Sequence, residues 1–380
     1  MHIYDYIIIG SGLTGLTIAQ RLSTETTNVL VLESLDDIGG LNRPVTFADQ
    51  HINNGLRFFP ATESGLKALD NLENQLGLKL VKSVSENNPE TYEASGYKSF
   101  VGFGNHAPEF YEQFSYFLSP KQVDLHLQPW QWVQLLKEKF QGTLHTKSFV
   151  TKLGFENLEA KNPTLTHVVV NGNKTYHAHN FIFTAPIKEL TYILPDEIMN
   201  IRLKSKINKS TSWQAVCVDL FHPQETEMKE NLFVLNGTTD DELGPCVGKF
   251  VSKDMSQWLS FIDHELAEET ENVGLVLKKI KRQIKRAFPE VSEKIQKERI
   301  FVSSSISGAE LKLSANLTYP HVENLWIGSA TANTSPNLLG SLQTAQMILA
   351  SLGFGPQTAY IEQTEAQEEA PADSSQEASI

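Results

Sequence analysis

The acidic balance of this 380-residue chain argues against a nucleic-acid-binding protein, because the formal net charge is −13. The last twenty residues hold six acids and no base, so the rest of the chain carries a milder −7. Hydrophobic residues make up 40% and charged residues 20%, as in a soluble globular protein, and the length allows two domains or one domain with an insertion.

Disulfide, metal and membrane roles are not predicted. Cys217 and Cys246 lie in no CxxC or metal-ligand pattern, and the alternating His177 and His179 do not make a zinc site. No apolar run approaches the length of a membrane span, and a strand that begins by residue 4 leaves no room for a signal peptide. We therefore expect a cytoplasmic protein with two reduced structural thiols.

The first 33 residues predict a dinucleotide-binding βαβ unit. An apolar strand at 4–9 runs into a glycine turn at 10–15, and a helix with apolar periodicity follows at 13–22. A second apolar strand, 28–32, ends on Glu33. This order of strand, glycine turn, helix, strand and acid is typical of a βαβ unit that binds a dinucleotide, either NAD or FAD.

Each residue type in this motif has a physical role. Gly10 permits the tight turn, Gly12 lets the backbone approach a pyrophosphate, and Gly15 lets the helix pack closely on the strand. The helix N-terminus offers free N–H groups and a positive dipole end to the phosphates. Glu33 follows at a distance where its carboxylate can accept hydrogen bonds from both hydroxyls of an adenosine ribose.

A glycine pair, Gly39-Gly40, comes soon after this acid. One interpretation is an ordinary surface turn, since two glycines break regular structure. The other is a loop whose backbone passes beside a second segment of the ligand, with Arg43 available for a phosphate or a substrate.

The middle of the chain alternates between predicted regular segments and an aromatic-rich region. Residues 81–128 are expected to be an irregular and helical cap, whose rings line a pocket or, by default, a core. A basic helix at 272–288 suits a membrane or an acidic partner, but a solvated helix face is favoured. The other predicted helices are 63–76 and one opening at Pro129; the predicted strands are 52–60, 144–153, 167–170, 177–183, 213–221, 232–235, 246–251 and 258–262.

The C-terminal part repeats the strand–loop–helix order. A strand at 323–330 ends in glycine, and a helix opens near Leu339-Gly340-Ser341 and runs to about residue 352. Residues 356–380 are rich in Gln, Glu, Ala, Pro and Ser, which predicts a disordered acidic tail.

Three of these features together resemble the flavin-containing amine oxidase superfamily, which includes protoporphyrinogen oxidases and, more distantly, UDP-galactopyranose mutases. They are the βαβ unit with Glu33, the pair Gly39-Gly40, and the element from Gly328 to Ala345. The resemblance implies FAD as cofactor, since a flavin extends beyond the pyrophosphate to these later elements. It implies an α/β fold, with a Rossmann-like FAD-binding domain and an inserted α+β substrate domain.

The resemblance also implies roles for particular residues. Glu33 would hold the adenosine ribose, and Val150 would reach the adenine through its backbone. The helix that opens at Gly340 would aim its N–H groups at the pyrimidine end of the flavin, where reduced flavin is negatively charged. The remaining implied contacts are the pyrophosphate with Gly10, Ser11, Gly12, Thr14 and Gly15, the ribityl–isoalloxazine side with Gly40, Leu41 and Arg43, the pyrophosphate and ribityl chain with Gly328 and Ser329, and the pyrimidine end with Gly340, Ser341 and Leu342.

The sequence departs from the family pattern at several positions. Arg43 stands two positions beyond the usual place after the glycine pair, as in some members. Two acids of the family are replaced by Asn53 and Ser329, which can still hydrogen-bond ribityl hydroxyls but carry no charge. No residue matches the lysine that some amine oxidases place near flavin N5, so the catalytic residues are not identified.

The predicted function is an FAD-dependent oxidoreductase that accepts a hydride from a C–N or C–C bond of a small-molecule substrate. The alternatives are a redox-neutral enzyme similar to UDP-galactopyranose mutase, and a catalytically degenerate flavoprotein that serves as a binding module. The predicted FAD-binding domain comprises 1–80, 141–190 and 300–355, and the predicted substrate domain comprises 81–140 and 191–299. The oligomeric state does not follow from the sequence.

Overall fold

The computed structural model describes residues 2–355 except 94–95, 105–106, 210–212, 224–229, 236–244, 307–312, 315, 330–331 and 333–336, so the predicted tail at 356–380 lies outside the described residues. The strands are β1 (Ile3–Ile9), β2 (Val29–Leu32), β3 (Pro44–Phe47), β4 (Gln50–Asn53), β5 (Phe59–Ala61), β6 (Val81–Glu86), β7 (Glu90–Glu93), β8 (Gly96–Ser99), β9 (Lys121–Leu125), β10 (Thr143–His145), β11 (Val150–Glu156), β12 (Thr164–Val170), β13 (Lys174–Phe183), β14 (Trp213–Phe221), β15 (Phe233–Leu235), β16 (Cys246–Ser252), β17 (Met255–Asp263), β18 (Lys297–Ile306) and β19 (Leu325–Ile327). The helices are α1 (Leu13–Ser23), α2 (Glu63–Leu76), α3 (Tyr111–Ser115), α4 (Pro129–Lys139), α5 (Ile187–Ile193), α6 (Ile201–Asn208), α7 (His264–Ala267), α8 (Thr270–Ala287), α9 (Pro289–Glu293) and α10 (Leu338–Ser351).

A mostly parallel sheet forms around β1. Its strand order is β10-β2-β1-β13-β12-β11, and β19 also pairs with β13. β10, β2, β1, β13 and β19 run parallel, whereas β12 and β11 are antiparallel additions. Ile7 and Ile8 are completely buried because apolar clusters cover both faces of this sheet. The predicted α/β class with a Rossmann-like unit is confirmed.

A second sheet is built mainly from antiparallel strands, in the order β18-β14-β17-β16-β15-β7-β8. Alternate residues of β14 face opposite sides. Val218 and Leu220 pack in one cluster with Ile280 and Ile284 of α8. Ala215 and Cys217 pack on the other side, in an aromatic cluster with Phe58, which directly precedes β5, and Phe114 of α3. The strands predicted at 213–221, 232–235, 246–251 and 258–262 are therefore present, and they lie in one sheet.

The helices predicted from periodicity and capping residues agree well with the structure. α2 has the predicted bounds: the Thr62 hydroxyl caps it by accepting a hydrogen bond from the Gly65 N–H, and Gly77 ends it with a φ of +70°. α4 begins at Pro129 as predicted, and its capping box joins Gln128 with Gln131.

Several segments differ from the prediction. Residues 81–128 contain the strands β6, β7, β8 and β9 and are therefore not an irregular cap. β6 is almost wholly exposed, so it lacks the alternation of apolar and polar residues by which strands are recognised. The predicted strand 144–153 is two strands, β10 and β11, separated by a turn in which Lys147 has a φ of +52°. The predicted strand 52–60 is likewise divided between β4 and β5.

The contacts of two elements, β18 and α4, cross the predicted domain boundaries. The boundary at residue 300 falls inside β18, and the whole of β18 pairs with β14 in the second sheet. α4 was predicted to belong to the substrate domain, but Trp132, Val133 and Leu136 pack in one cluster with Leu13 and Leu16 of α1. The apolar face of α4 explains this, since it is buried against the first unit.

Candidate functional site

The glycines of the first turn have distinct structural roles. Gly10 has a φ of +105°, a left-handed value that favours glycine. A methyl group at Gly15 would run into the Gly10 carbonyl oxygen, so only glycine allows α1 to pack this closely on β1. Gly12 has a φ of −65°, and outside its chain neighbours no described residue has an atom within 4 Å of a methyl group placed on it. The space beside Gly12 is where the sequence predicts the pyrophosphate.

Glu33 is buried next to this turn and is already hydrogen-bonded. Its Oε2 accepts hydrogen bonds from the N–H and the hydroxyl of Ser11, at 2.9 and 2.6 Å. Its Oε1 accepts from the Leu35 N–H at 2.9 Å and from the Ser34 hydroxyl at 3.2 Å. A carboxylate has about four acceptor sites, so two are held by backbone amides and two by hydroxyls that can rotate away. The two hydroxyls mark where ribose hydroxyls would bind.

A cavity opens between the carboxyl ends of β1 and β2. Gly10, Ser34 and Val150 contribute to its wall, together with the exposed rings of Phe149 and Tyr192. The turn before β11 is held against this wall by hydrogen bonds, including one from the Ser148 N–H to the Glu33 carbonyl oxygen at 2.7 Å. The structure therefore brings Val150 close to the glycine turn, where the sequence predicts adenine.

Glu189 is a feature of the cavity that the sequence analysis missed. It lines the cavity from α5, and burial, followed by the negative charge of Glu33, raises the pKa of its carboxyl group. Because Glu189 stands 156 positions after Glu33, only the parallel pairing of β1 with β13 brings the two acids together. The sequence signal that could have pointed to Glu189 was the predicted strand end Thr184-Ala185-Pro186, which directly precedes α5.

The glycine pair lies beside Gly12. The Gly39 N–H donates to the Ser11 carbonyl oxygen at 2.9 Å, and Gly39 and Gly40 have φ values of +101° and +55°. A methyl group on Gly40 would lie 3.6 Å from the Gly12 Cα atom. The pair therefore lies against the open side of the first turn. This favours the interpretation of a loop that follows a ligand over that of a surface turn.

The glycine-pair loop is also held to the segment after β4. The Leu41 carbonyl oxygen accepts from the Gly55 N–H at 2.7 Å, and the Arg43 carbonyl oxygen accepts from the Asn54 N–H at 2.9 Å. Asn53 has its side chain occupied: Oδ1 accepts from the Trp130 N–H at 2.8 Å, and Nδ2 donates to the Leu56 carbonyl oxygen. This amide therefore connects α4 with the loop, and a hydrogen bond from its remaining donor or acceptor site to a ribityl hydroxyl stays a prediction.

The C-terminal element meets the N-terminal one at the same place. The Thr14 hydroxyl donates to the Ser341 carbonyl oxygen at 3.1 Å, which brings the first turns of α1 and α10 together. Gly328 fits closely between them, since a methyl group there would lie 2.9 Å from Ile348 Cδ1. Ser329 is also buried, at 1% exposure. Gly328 thus has a packing role, whether or not it also contacts a pyrophosphate.

The start of α10 needs a correction. The helix begins at Leu338, and the Gly340 N–H donates to the Asn337 side chain at 2.7 Å. The Ser341 N–H donates to the Asn337 carbonyl oxygen at 2.9 Å. The predicted aiming of the Gly340 and Ser341 N–H groups at a ligand is therefore wrong, because both amides are used in capping the helix. Leu342, predicted at the same end of the flavin, is completely buried in the apolar cluster that contains Leu13 and Leu16.

Three further features concern possible metal ligands, the two thiols and membrane helices. Within the described ranges, no three His, Cys, Asp or Glu side chains form a cluster that could hold a metal ion. Cys217 and Cys246 are free and fully buried, and burial raises the pKa of both thiols. Among the helices that the structure describes, none is long and apolar enough to cross a bilayer.

Residues 8–72 match the NAD(P)-binding Rossmann-like domain family. Over 52 residues, the chain is 44% identical to flavin-containing amine oxidase A from Equus caballus, a match that covers 14% of this chain and 10% of that enzyme. The curated relatives are thus matched over about a tenth of their length.

Solved structures match over nearly the whole chain at low identity. A proposed protoporphyrinogen oxidase from Exiguobacterium sp. 255-15 has a TM-score of 0.62 and 12% identity, with 93% of this chain and 99% of that chain covered. Putrescine oxidase bound to putrescine has a TM-score of 0.61 and 11% identity, with 92% and 99% covered. The resemblance to the flavin-containing amine oxidase superfamily is therefore confirmed, in sequence at the N-terminal segment and in fold along most of the chain.

Proposed function

We propose that the protein is an FAD-dependent oxidoreductase that takes a hydride from a C–N or C–C bond of a small molecule. The relatives named above are oxidases that are flavin-containing or share the fold, which supports this class of activity.

The observation that carries the proposal is the convergence of three elements beside Gly12. The first turn of α1, the pair Gly39-Gly40 and the first turn of α10 all lie next to it, through the contacts of Ser11 and Thr14 described above. Two helix N-termini at one place favour an anionic ligand. A βαβ unit that binds only NAD has no need of the second helix or of the glycine pair, whereas a flavin extends far enough to use both.

The residues of the adenosine half also fit FAD. Glu33 offers two acceptor positions to ribose hydroxyls once the hydroxyls of Ser11 and Ser34 rotate away. The cavity at Val150, flanked by Phe149 and Tyr192, suits a flat aromatic base. Gly12 leaves room where its Cβ atom would stand, so phosphate oxygens can approach the amides of α1.

Bound FAD would supply the hydride acceptor, and the chain would supply position and surroundings. Thr14 and Ser341 fix the two helix starts against each other, so the positive ends of both helix dipoles would stay in place beside a flavin that gains negative charge on reduction. The aromatic cluster on the second sheet, which contains Phe58, Phe117 and Phe261, is buried and apolar, and it would keep water from a flavin bound against it. A dedicated acid–base pair is not required for hydride transfer.

The test is the visible spectrum of the purified full-length chain, followed by anaerobic titration with reducing substrates. Oxidised flavin absorbs at about 450 nm, and this band should disappear when an amine or another hydride donor is oxidised without oxygen. A mutase-like enzyme would keep its flavin oxidised in the presence of its substrate and act only after prior reduction.

A matched variant makes the result specific. Glu33→Ala should lose FAD after gel filtration under conditions in which Glu197→Ala, an exposed acid outside the cavity, retains it. A colourless protein that rejects added FAD would overturn the proposal. A flavin that no hydride donor reduces would point to the degenerate binding module.

A further inference from the structure

A row of polar side chains crosses the second sheet on the face that contacts the segment between β4 and β5. Arg299, Asp219, Gln257 and Lys249 stand at one register position on four neighbouring strands, β18, β14, β17 and β16. Cys217 lies on the same face, because it stands two residues before Asp219 on β14. Cys217 belongs to the aromatic cluster. The row therefore borders an apolar surface, and a polar row in such a place requires an explanation.

Arg57 extends into this row from the segment between β4 and β5. Its guanidinium forms an ion pair with Asp219, and its backbone N–H donates to Gln257 Oε1 at 2.9 Å. Arg299 pairs with the same Asp219 oxygen at 2.8 Å and donates to Asn54 Oδ1 at 2.6 Å. Two guanidinium groups thus share one carboxylate, which is itself completely buried.

The sharing leaves positive charge uncompensated. Asp219 and Arg299 are the charged groups that act on Arg57, so the three carry one excess positive charge. Burial lowers the pKa of Arg57 to about 10, and its side chain is only 5% exposed. Arg57 Nε has no hydrogen-bond partner among the described residues. A buried donor without an acceptor is costly, and so is a buried charge without a counter-ion.

Lys249 adds a further positive charge along the row. It is half-buried, and its Nζ donates to Gln122 Oε1 at 2.6 Å. The acids that act on it, Asp124 and Glu230, are exposed, so solvent screens them. The row is therefore basic on the face of the second sheet that contacts the segment between β4 and β5.

We propose that the substrate of this site is an organic carboxylate with an apolar body, whose anionic group is received at Arg57. The carboxylate would give Arg57 Nε its missing acceptor and balance the excess charge, while the apolar body contacts the aromatic cluster with Phe58. A cationic amine, by contrast, would meet like charge in a poorly solvated place. This inference rests on the proposed FAD-dependent function and gives its substrate class.

The test compares two probes of nearly the same shape and opposite charge, phenylacetate and 2-phenylethylamine. The FAD-loaded full-length chain is titrated with each at neutral pH, and binding is followed through the shift of the visible flavin spectrum. Phenylacetate should bind at least about tenfold more tightly than 2-phenylethylamine, as expected for one charge-assisted contact. Equal or tighter binding of the amine, or binding of neither probe, would overturn the inference.

Variants assign the effect to Arg57. Arg57→Gln should weaken phenylacetate binding by about tenfold or more. Arg57→Lys keeps the charge but loses the planar guanidinium, so its affinity for phenylacetate should lie between those of the parent chain and Arg57→Gln. Arg202→Gln, at an exposed arginine of α6, is the matched control and should bind like the parent chain. Unchanged binding in a folded Arg57→Gln variant would contradict the inference; if that variant does not fold, Arg57→Lys and the comparison of the two probes decide.

The outcome is separable from that of the proposed function. A chain that takes up no FAD contradicts the oxidoreductase proposal before either probe is added. An FAD-loaded chain that binds the amine more tightly leaves that proposal intact and contradicts only the inference that the substrate is a carboxylate.

Discussion

The Ser11 hydroxyl lies 2.6 Å from Glu33 Oε2, so the carboxylate that is predicted to hold a ribose already accepts a hydrogen bond from the glycine turn. Both residues are buried, at 0% and 7% exposure. The Ser11 amide donates to the same oxygen. The amide is part of the fixed backbone, whereas the hydroxyl can turn away, and the two contacts therefore respond differently to a ligand.

This difference predicts opposite outcomes for two variants. Ser11→Ala should bind FAD at least as tightly as the parent chain, because it removes a hydroxyl that competes for Glu33 and keeps the amide. Glu33→Ala should weaken binding by at least about tenfold, since charge-assisted hydrogen bonds to the ribose are lost. Titration of FAD fluorescence quenching measures both. Weaker binding by Ser11→Ala would show that the hydroxyl orients Glu33 for the ribose instead of competing with it.

The two neighbouring glycines predict a separation of binding from stability. Gly12→Ala should fold normally, since its φ of −65° suits alanine and the methyl group meets open space, but it should bind FAD poorly because this space is where the phosphates approach. Gly15→Ala should unfold more easily, because its methyl group would run into the Gly10 carbonyl oxygen.

Thermal unfolding of the FAD-free proteins and FAD titration distinguish the two effects. The midpoint of Gly12→Ala should stay near that of the parent chain, and that of Gly15→Ala should fall by several degrees, as about 1–3 kcal/mol of overpacking implies. Normal FAD binding by Gly12→Ala would place the pyrophosphate elsewhere.

The sequence predicted the parts of the site that are local. The glycine turn, Glu33 and α2 follow from patterns within about 30 residues, where spacing and capping residues decide the backbone. The capping role of Asn337 was missed, although Asn is a frequent N-cap, because the apolar periodicity of α10 gives no sharp start. β18 was missed since its exposed Ile300 and Val302 do not follow a simple one-sided pattern.

Contacts between residues that are far apart in the chain could not be predicted from the sequence. Glu189 approaches Glu33 through the pairing of β1 with β13, and Arg57 meets Asp219 through the contact of a loop with the second sheet. The contact of Asn53 with Trp130 likewise depends on where α4 packs. No spacing within the chain indicates these contacts.

The shared carboxylate of Asp219 predicts a large loss of stability on its removal. Asp219→Ala would leave Arg57 and Arg299 facing each other without a counter-charge, and removal of one partner from a buried pair costs about 3–5 kcal/mol. Asp196→Ala is the matched control, since its ion pair with Lys204 is exposed and contributes about 0–1 kcal/mol.

Urea unfolding of the two variants gives the free energies of unfolding. The expected order is a large loss for Asp219→Ala and almost none for Asp196→Ala. A loss below about 1 kcal/mol for Asp219→Ala would mean that solvent reaches the two guanidinium groups, and it would remove the charge argument for a carboxylate substrate.

The raised pKa of Glu189 predicts a pH-dependent gain from neutralising it. Burial and the charge of Glu33 disfavour the ionised form of Glu189 in the folded chain, so the folded chain binds a proton more readily than the unfolded chain does. The stability of the fold therefore falls as the pH rises through the folded-state pKa of Glu189.

Glu189→Gln should therefore raise the unfolding midpoint at pH 7. The gain should disappear below the ordinary pKa of about 4.5, where the parent glutamic acid is also neutral. Glu189 is an exposed residue, and screening by solvent limits the size of the effect. Glu197→Gln, an exposed residue outside the cavity, should show no such gain, and an equal gain for Glu189→Gln at both pH values would exclude the charge of Glu189 as its cause.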